Sequence, residues 1–325
     1  MFLLPIMFLC SCEKEDVAQV HTLDVSNITS HSATVKGDVS SAGALPILSR
    51  GFCWSNYPKP ALGRADSKSV ADTEGAGLIS WNITKLHADE TYYVRSFYST
   101  RKDTVYGNQL EFTTQDYLQF NPNITYGTVT DVDGNVYKTV TIGTQTWMAE
   151  NLRTTRYQNG DPIRNEQNSN KWFGHARPSE GAYCYFKNKD EKASIYGAYY
   201  NWYAATDTRN VAPKGWHVAT EADWEKLKEH GYLTYGQNYG YSLREPTTAH
   251  WNSDEWFSFN ESGFTALGAD RALTSTDLEW PRGSYGYFWT KSGSADLPKY
   301  ALLSNEIAVV PDQPGKGFNI RCVKD

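Results

Sequence analysis

The stretch that decides the fold of the C-terminal half reads APKGWHVATEADW, residues 212–224. Within it, the hydroxyl of Thr220 stands three positions before an acidic residue, a pattern close to the capping box that begins a helix. Trp224 and Leu227 follow at helical spacing, so both side chains are expected to face the interior. Because glycine is typical of helix ends, the sequence predicts one clear helix that begins after Thr220 and ends at Gly231.

Outward from this helix, the C-terminal sequence is rich in Trp, Tyr and Gly. A second, weaker helix is predicted over Ile195–Ala205. Upstream, Asp133-Gly134 separates two β-type runs and predicts a hairpin, and a second hairpin is expected to turn at Gly143. The run that starts at Asp131 also resembles a calcium loop, but position 12 of that loop is Ile142 instead of Glu. A turn is therefore the favoured interpretation.

Residues 17 to about 115 consist of short alternating runs between Gly, Ser, Pro and Asp clusters, which predicts an all-β domain. The runs are 33–37, 47–54, 78–83 and 92–98. The last run has two faces, one with Tyr92, Val94, Ser96 and Tyr98 and the other with Tyr93, Arg95, Phe97 and Ser99, and one of them is expected to pack while the other meets solvent. Cys53 is interpreted as a small buried hydrophobe and not as a nucleophile.

Composition narrows the function classes. A chain of 325 residues predicts about two domains. Its net charge of −6, without a run of Lys or Arg, argues against nucleic acid as a partner. Aromatic residues make up 14% of the chain, a content that suits either wet binding surfaces or β-rich cores. Since no apolar stretch of about 18 residues follows the N-terminus, no membrane-spanning helix is expected.

The N-terminal sequence resembles an export signal. The apolar run Met1–Leu9 leads into Leu9-Cys10-Ser11-Cys12, which resembles a bacterial lipobox in which Cys12 takes the lipid. Cys10 is an alternative acceptor, and an upstream start codon would explain why no Lys or Arg precedes the run. The cluster Glu13–Asp16, interrupted by Lys14, resembles the signal that exports Bacteroidetes-type lipoproteins to the outer leaflet. We therefore expect an outer-membrane protein, lipid-anchored and facing the exterior, with a signal peptide over 1–11, a tether over 12–19 and domains over 20–115 and 116–325.

The first domain resembles fibronectin type III-like sandwiches. Residues 86–95 look like the turn into the sixth strand of that fold, where a tyrosine hydroxyl ties the turn to the backbone. Residues 25–35, 50–55 and 106–114 fit the same family. The resemblance implies a spacer or docking sandwich without catalytic residues.

The second domain resembles the Fibrobacter succinogenes major paralogous domain, found in surface and secreted proteins of Bacteroidetes and Fibrobacteres. The blocks that carry the resemblance are 131–140, 142–152, 196–205, 212–224 and 317–325. It implies an α+β, C-type lectin-like fold with short helices and irregular loops. It also implies a more distant relation to formylglycine-generating enzymes.

Those enzymes bind copper through two nearby cysteines late in the chain, whereas here Cys322 stands alone and Cys184 is the other thiol of the domain. The motifs GxSxG and HExxH are also absent from the sequence. We therefore expect no enzyme, no cofactor and no structural metal. In an oxidising compartment, a disulfide between Cys184 and Cys322 would leave Cys53 as a buried thiol, and this pairing is predicted.

Sugar-binding C-type lectins hold calcium with Glu-Pro-Asn and Trp-Asn-Asp motifs about twenty residues apart. This chain has Glu245-Pro246-Thr247 and Trp251-Asn252-Ser253-Asp254, which are imperfect and too close together, so we interpret them as chance. Aromatic residues between His250 and Trp289 are the best ligand-facing candidates, although core packing remains the alternative for each of them. The candidates are Trp251, Trp256, Trp280, Tyr285 and Tyr287, and Trp289 is expected in the core.

The favoured hypothesis is a cell-surface binding module or adhesin whose C-terminal head recognises an unknown glycan or protein. Its contact with the membrane would be through the N-terminal lipid alone. A structural or assembly component of the envelope or fimbriae is the alternative, and an enzyme is the third.

Overall fold

The computed structural model describes residues 18–40, 45–72, 75–168, 180–247, 249–251, 258–268 and 283–325. The described chain is mostly β-sheet, with short helices confined to its second half. It divides into two compact units, Met1–Gln115 and Asp116–Asp325. Each unit is described by itself.

The first unit contains two antiparallel sheets. One has the order β1-β2-β5 and the other the order β4-β3-β6-β7. Their strands are β1 (Val20–Ser26), β2 (Ala33–Val39), β3 (Ser49–Ser55), β4 (Lys68–Asp72), β5 (Gly77–Ile83), β6 (Thr91–Ser99) and β7 (Thr104–Thr113). Side chains from both sheets share one apolar core, which includes Val35 of β2, Ile79 of β5 and Phe52 of β3. The two sheets therefore pack face to face.

The alternation predicted for β6 holds from Tyr92 to Ser96 and fails at Phe97, where the strand register shifts. Tyr92, Val94, Ser96 and Tyr98 are all buried. Phe97, on the opposite face, is buried as well. The Tyr92 hydroxyl accepts a hydrogen bond from the His87 backbone N–H at 3.0 Å, which ties the turn before β6 to the strand. Cys53 is buried as predicted, and burial raises the pKa of its thiol to about 11, which leaves it protonated and a poor nucleophile.

The second unit contains three sheets, with the orders β14-β18-β10-β9-β8, β11-β12-β13 and β15-β16-β17 within its described residues. The strands are β8 (Gly127–Thr130), β9 (Val136–Ile142), β10 (Gln145–Met148), β11 (Arg164–Asn165), β12 (Ala182–Tyr185), β13 (Ala198–Tyr200), β14 (Trp216–Val218), β15 (Gly286–Ser294), β16 (Leu297–Leu303), β17 (Ile307–Pro311) and β18 (Cys322–Lys324). The α-helices are α1 (Ala193–Tyr196), α2 (Trp202–Thr206), α3 (Glu221–Tyr235) and α4 (Gly240–Leu243), and 3-10 turns span Phe186–Asn188 and Asp190–Lys192.

Apolar clusters cover both faces of the five-stranded sheet. Successive residues of its strands alternate between them: Met148 and Cys322 belong to one cluster, and Trp147 and Val323 to the other. This is the period of two that a strand imposes on its side chains. Trp289 is fully buried in the first cluster, as the sequence predicts.

The helix predicted after Thr220 is α3, and its start is confirmed. The Thr220 hydroxyl accepts a hydrogen bond from the Asp223 backbone N–H, and the Asp223 carboxylate accepts one in return from the Thr220 backbone N–H at 2.9 Å. The predicted end is wrong, because α3 continues through Gly231 to Tyr235. Gly231 is buried, and a Cβ there would stand 2.5 Å from the ring of Tyr239, so this glycine serves close packing.

The helix predicted over Ile195–Ala205 is interrupted. Its two ends are helical in α1 and α2, but β13 runs between them. Gly197 has a positive φ of 71°, which ends α1 and redirects the chain into the strand. Both predicted hairpins are confirmed: β8 pairs with β9 around Gly134, and β9 pairs with β10 around Gly143.

Candidate ligand-binding site

A cavity of about 190 Å³ in the second unit is lined by polar and aromatic side chains from three separate stretches of the chain. Its lining residues are Tyr241, Arg244, Trp251, Ser284, Tyr285, Ser304 and Asn305. We call this space the Arg244 cavity. Two of the predicted ligand-facing residues, Trp251 and Tyr285, line it.

The five predicted aromatic residues have different fates. Tyr285 is 41% exposed at the cavity, whereas Trp251 is buried and contributes one wall. Tyr287 lies in the core instead of facing a ligand, because its ring stacks on Phe318 with the centroids 5.3 Å apart. Trp256 and Trp280 lie outside the described residues.

The backbone around Arg244 is fixed by neighbouring segments. Arg244 follows α4 directly and is extended, with φ −81° and ψ 153°, and it forms a bridge to Ala266. The Ser258 hydroxyl donates to the Arg244 carbonyl at 2.9 Å. The Trp251 indole N–H donates to the Ala266 carbonyl at 3.0 Å. Through Ala266, the arginine and the tryptophan are therefore held against the same short segment.

The Arg244 guanidinium is buried without a counter-ion. The residue is only 5% exposed, and its Cζ lies 4.2 Å from the Trp251 ring centroid and 4.5 Å from that of Tyr241. Among the residues that the structure describes, no acceptor bonds its buried Nε and no carboxylate pairs with it. Burial lowers the pKa of Arg244 to about 10, which still leaves it charged at neutral pH.

A second buried arginine of the same unit provides a contrast. Arg321 donates through Nε to the Asn151 side chain at 2.7 Å and through its Nη atoms to the carbonyls of Met148, Phe264 and Thr265 at 2.8–3.0 Å. Its hydrogen-bonding groups are occupied by the fold, so its role is structural. Arg244 is buried as well, but no residue of the described ranges accepts a hydrogen bond from its guanidinium.

A buried polar cluster lies next to Arg244 in sequence and is occupied internally. His250 bonds the carboxylate of Glu245 through Nδ1 and that of Asp116 through Nε2, and Lys192 pairs with Asp116. Glu245 also accepts a hydrogen bond from the Gln119 backbone N–H at 2.7 Å. Glu245 is fully buried, and its carboxylate bonds groups of the fold. It therefore does not face solvent as a lectin calcium ligand would. Asn252 to Asp254 lie outside the described residues.

The carboxylate of Asp131 is likewise bonded by groups of the fold. The Asp131 carboxylate accepts hydrogen bonds from the backbone N–H groups of Asp133 and Asn135, both at 2.9 Å, and from the Tyr137 hydroxyl at 2.5 Å. These donors belong to the hairpin itself, which supports the turn interpretation. Within the described ranges, no group of three or more His, Cys, Asp or Glu side chains is placed to hold a metal ion.

The predicted disulfide is not formed in the structure. Cys184 and Cys322 are both buried free thiols among the described residues. In β12, Tyr183 and Tyr185 point into the cluster that contains Cys322, so Cys184 between them points to the other face, towards Glu166. Burial raises the pKa of the Cys184 thiol to about 12 and that of Cys322 further, so both stay protonated.

Sequence reasoning found the aromatic part of the site and missed its cation. Arg244 is not among the predicted residues, because the lectin-like motif at Glu245-Pro246 begins one residue after it. The sequence nonetheless contains a signal. Arg244 directly follows an apolar residue and stands between two aromatic-rich stretches, in a chain where only 21% of the residues are charged.

The structure is that of a β-rich protein with two units, of which the second carries an aromatic cavity around a buried cation. A profile of the Fibrobacter succinogenes major domain matches residues 140–324, which is more than half of the chain. The chain therefore belongs to the Fibrobacter succinogenes major domain family.

No curated protein matches the sequence. Among solved structures, the sensor domain of the anti-sigma factor RsgI4 in Pseudobacteroides cellulosolvens matches at 17% identity over 30% of this chain and 95% of that one, with a TM-score of 0.23. A redesigned β sandwich protein matches at 22% identity over 29% of this chain and 94% of that one, also with a TM-score of 0.23. In the described part of the chain, no helix has the length and apolarity needed to span a membrane.

Proposed function

We propose that this chain is a non-catalytic binding protein of the cell surface, whose second unit recognises a glycan or a protein at the Arg244 cavity. One observation carries the proposal: a buried guanidinium, which no carboxylate of the described residues pairs, lines a cavity beside the exposed ring of Tyr285. Unpaired buried charges and exposed aromatic rings are both unfavourable for a fold alone, and both are common where a ligand completes the site.

The finer architecture is part of the same proposal. The first unit would be a fibronectin type III-like spacer, which its two packed antiparallel sheets and the Tyr92 hydroxyl bond support. The second unit would be a C-type lectin-like head. A lipid on Cys12 would tether both to the outer membrane, as the lipobox-like N-terminus suggests. In this arrangement the spacer sets the distance between the membrane and the head.

Binding is tested with the detergent-solubilised full chain on glycan and extracellular-protein arrays. We expect a reproducible set of ligands, and we expect Tyr285→Ala to weaken binding because it removes the exposed ring at the cavity. The matched control is Tyr232→Ala, which removes a tyrosine of α3 that is 56% exposed and does not line the cavity. Equal loss in both variants, or no binding by any form, would contradict the proposal. Co-purification with envelope components in that case would favour an assembly role.

Surface display is tested by protease treatment of intact cells that express wild type or Cys12→Ala. We expect cleavage of the wild-type protein and protection, or loss from the membrane fraction, of the variant. Protection of both forms, with cleavage only after lysis, would refute display.

A further inference from the structure

The contacts of the described fold do not offset the free-energy cost of burying the Arg244 guanidinium. Moving a cation out of water is unfavourable even after the protein relaxes. The two aromatic rings against the guanidinium offset only part of that cost. Arg321 shows how this unit balances such a charge when the arginine is structural, with acceptors on Nε and on both Nη atoms. Arg244 lines the cavity and has no such acceptors among the described residues.

We propose that the Arg244 cavity binds the carboxylate of an acidic sugar at the end of a glycan chain. This inference rests on the proposed binding function and names the chemical class of the ligand. The guanidinium supplies the charge and Tyr285 the stacking surface, and Ser284, Ser304 and Asn305 supply polar groups at the same opening.

The donor geometry favours an oxyanion. A guanidinium presents parallel N–H groups along one edge, a fork that matches the two oxygens of a carboxylate. Arg244 lines the cavity, and no acceptor in the described chain bonds its Nε, so a carboxylate in the cavity would pair a charge that the described fold leaves unpaired. The rings of Trp251 and Tyr241 lie within 4.5 Å of Cζ and fix the plane of the group, which reduces the ordering cost of binding.

The size of the cavity limits what can enter. Pockets that enclose a drug-sized molecule measure about 300–1,000 Å³. A cavity of about 190 Å³ instead accommodates one terminal residue of a longer ligand. Arg244 is the one cation among the described residues that line the cavity, in a chain of net charge −6, so this site disfavours a polyanion such as nucleic acid.

The rim favours a sugar over a peptide terminus. Two serine hydroxyls and an asparagine amide, at Ser284, Ser304 and Asn305, offer both donors and acceptors to ring hydroxyls. Tyr285 is half exposed beside them, and the apolar face of a pyranose packs on such a ring. Ser304 and Asn305 already bond Glu306 and Asn238 within the chain, and a sugar would add to these bonds, whereas a peptide carboxylate would use the cation alone.

The test compares charged and neutral forms of the same sugar. Isothermal titration of the full chain uses the methyl glycosides of glucuronic, galacturonic and N-acetylneuraminic acid, each beside its carboxamide. A hydrogen bond to a charged group contributes about 1.5–3 kcal/mol, so at least one acid is expected to bind roughly ten- to a hundredfold more tightly than its amide. Equal affinity of acid and amide for every sugar would overturn the proposal.

Variants assign the effect to the cavity. Arg244→Gln should abolish the preference for the acid, and Arg244→Lys, which keeps the charge without the fork, should retain only part of it. Lys226→Gln removes the same charge from an exposed position of α3 and should leave the preference intact. A preference that survives Arg244→Gln, or that Lys226→Gln removes equally, would place the effect elsewhere and refute the assignment. Circular dichroism of each variant confirms that the loss of binding is not loss of fold.

Further arms separate this inference from the proposed function. An acetylated dipeptide with a free carboxylate should bind more weakly than the best acidic sugar, and tighter binding of the peptide would overturn the choice of a glycan. Binding of neutral glycans on the array, lost in Tyr285→Ala but unchanged in Arg244→Gln, would refute the acidic sugar and leave the binding function in place. Absence of any ligand on the arrays together with no acid preference would refute both.

Discussion

Replacing Arg321 by methionine should destabilise the second unit strongly. The side chain is fully buried and joins three parts of the unit: β18, the end of β10 at Met148, and the segment of Phe264 and Thr265. Its fourth partner is the amide oxygen of Asn151. Methionine restores part of the volume but none of the donors, so three carbonyls and one amide oxygen lose a hydrogen bond inside the core.

The magnitude follows from those four acceptors. Leaving one buried polar group unsatisfied costs about 1–3 kcal/mol. Against this, the variant no longer has to desolvate a guanidinium, and that burial is expensive enough to lower the pKa of Arg321 to about 9. The net loss should be about 3–5 kcal/mol, which is the usual effect of breaking a buried charged network. In a unit of this size, about 2–4 °C of melting temperature correspond to 1 kcal/mol, so the midpoint should fall by roughly 6–20 °C.

Near-ultraviolet circular dichroism is the suitable assay. Of the 11 tryptophans in the sequence, only Trp54 and Trp81 precede Asp116, so the signal reports mainly on the second unit. Arg244→Met is the control, because it removes a buried arginine that has no acceptor in the described chain. Its midpoint should stay within about 2 °C of wild type or rise. Equal losses in Arg321→Met and Arg244→Met would refute the distinction between the two arginines.

Three further outcomes are expected. Glu245 and Asp116 outweigh burial and raise the pKa of His250 to about 9, so its contribution to stability is complete below about pH 6.5 and lost as the pH rises through 9. Urea unfolding at pH 7 and pH 10 should therefore show a loss in wild type that is much smaller in His250→Gln. Thr220→Ala should cost about 1 kcal/mol in urea unfolding and Thr220→Ser almost nothing, because only the hydroxyl caps α3. Tyr92→Phe should cost about 1 kcal/mol in the first unit, and an unchanged midpoint would show that its hydroxyl bond contributes nothing.

Local signals in the sequence predicted what depends on neighbouring residues. The start of α3 follows from a hydroxyl and an acid three positions apart, and both hairpins follow from glycines that tolerate positive φ. The end of α3 could not be read in this way. Whether Gly231 stops a helix or lies inside one depends on the ring of Tyr239, which reaches it from beyond the helix.

The site shows the same division. Tyr285 and Trp251 were predicted as ligand-facing from aromatic content, and both line the cavity. Tyr287 is predicted with them, but two residues after Tyr285 a side chain can lie either in the core or at an opening. The packing of the Tyr287 ring on Phe318 places it in the core, and the sequence does not show that tertiary contact. Arg244 is important because its guanidinium has no acceptor among the described residues. Nothing in the neighbouring sequence indicates that absence.

The two buried arginines are also connected, and this connection explains how Arg244 is held in place although no carboxylate of the described residues pairs with it. Arg321 holds the carbonyl of Thr265, and the next residue, Ala266, accepts the Trp251 indole N–H and forms the bridge to Arg244. Arg321, which makes four hydrogen bonds within the unit, therefore fixes the segment that carries the cavity wall. Because that anchoring keeps Trp251 in place over the guanidinium, Arg244 cannot relax easily towards solvent, and an anion that enters the cavity meets a donor already oriented for it.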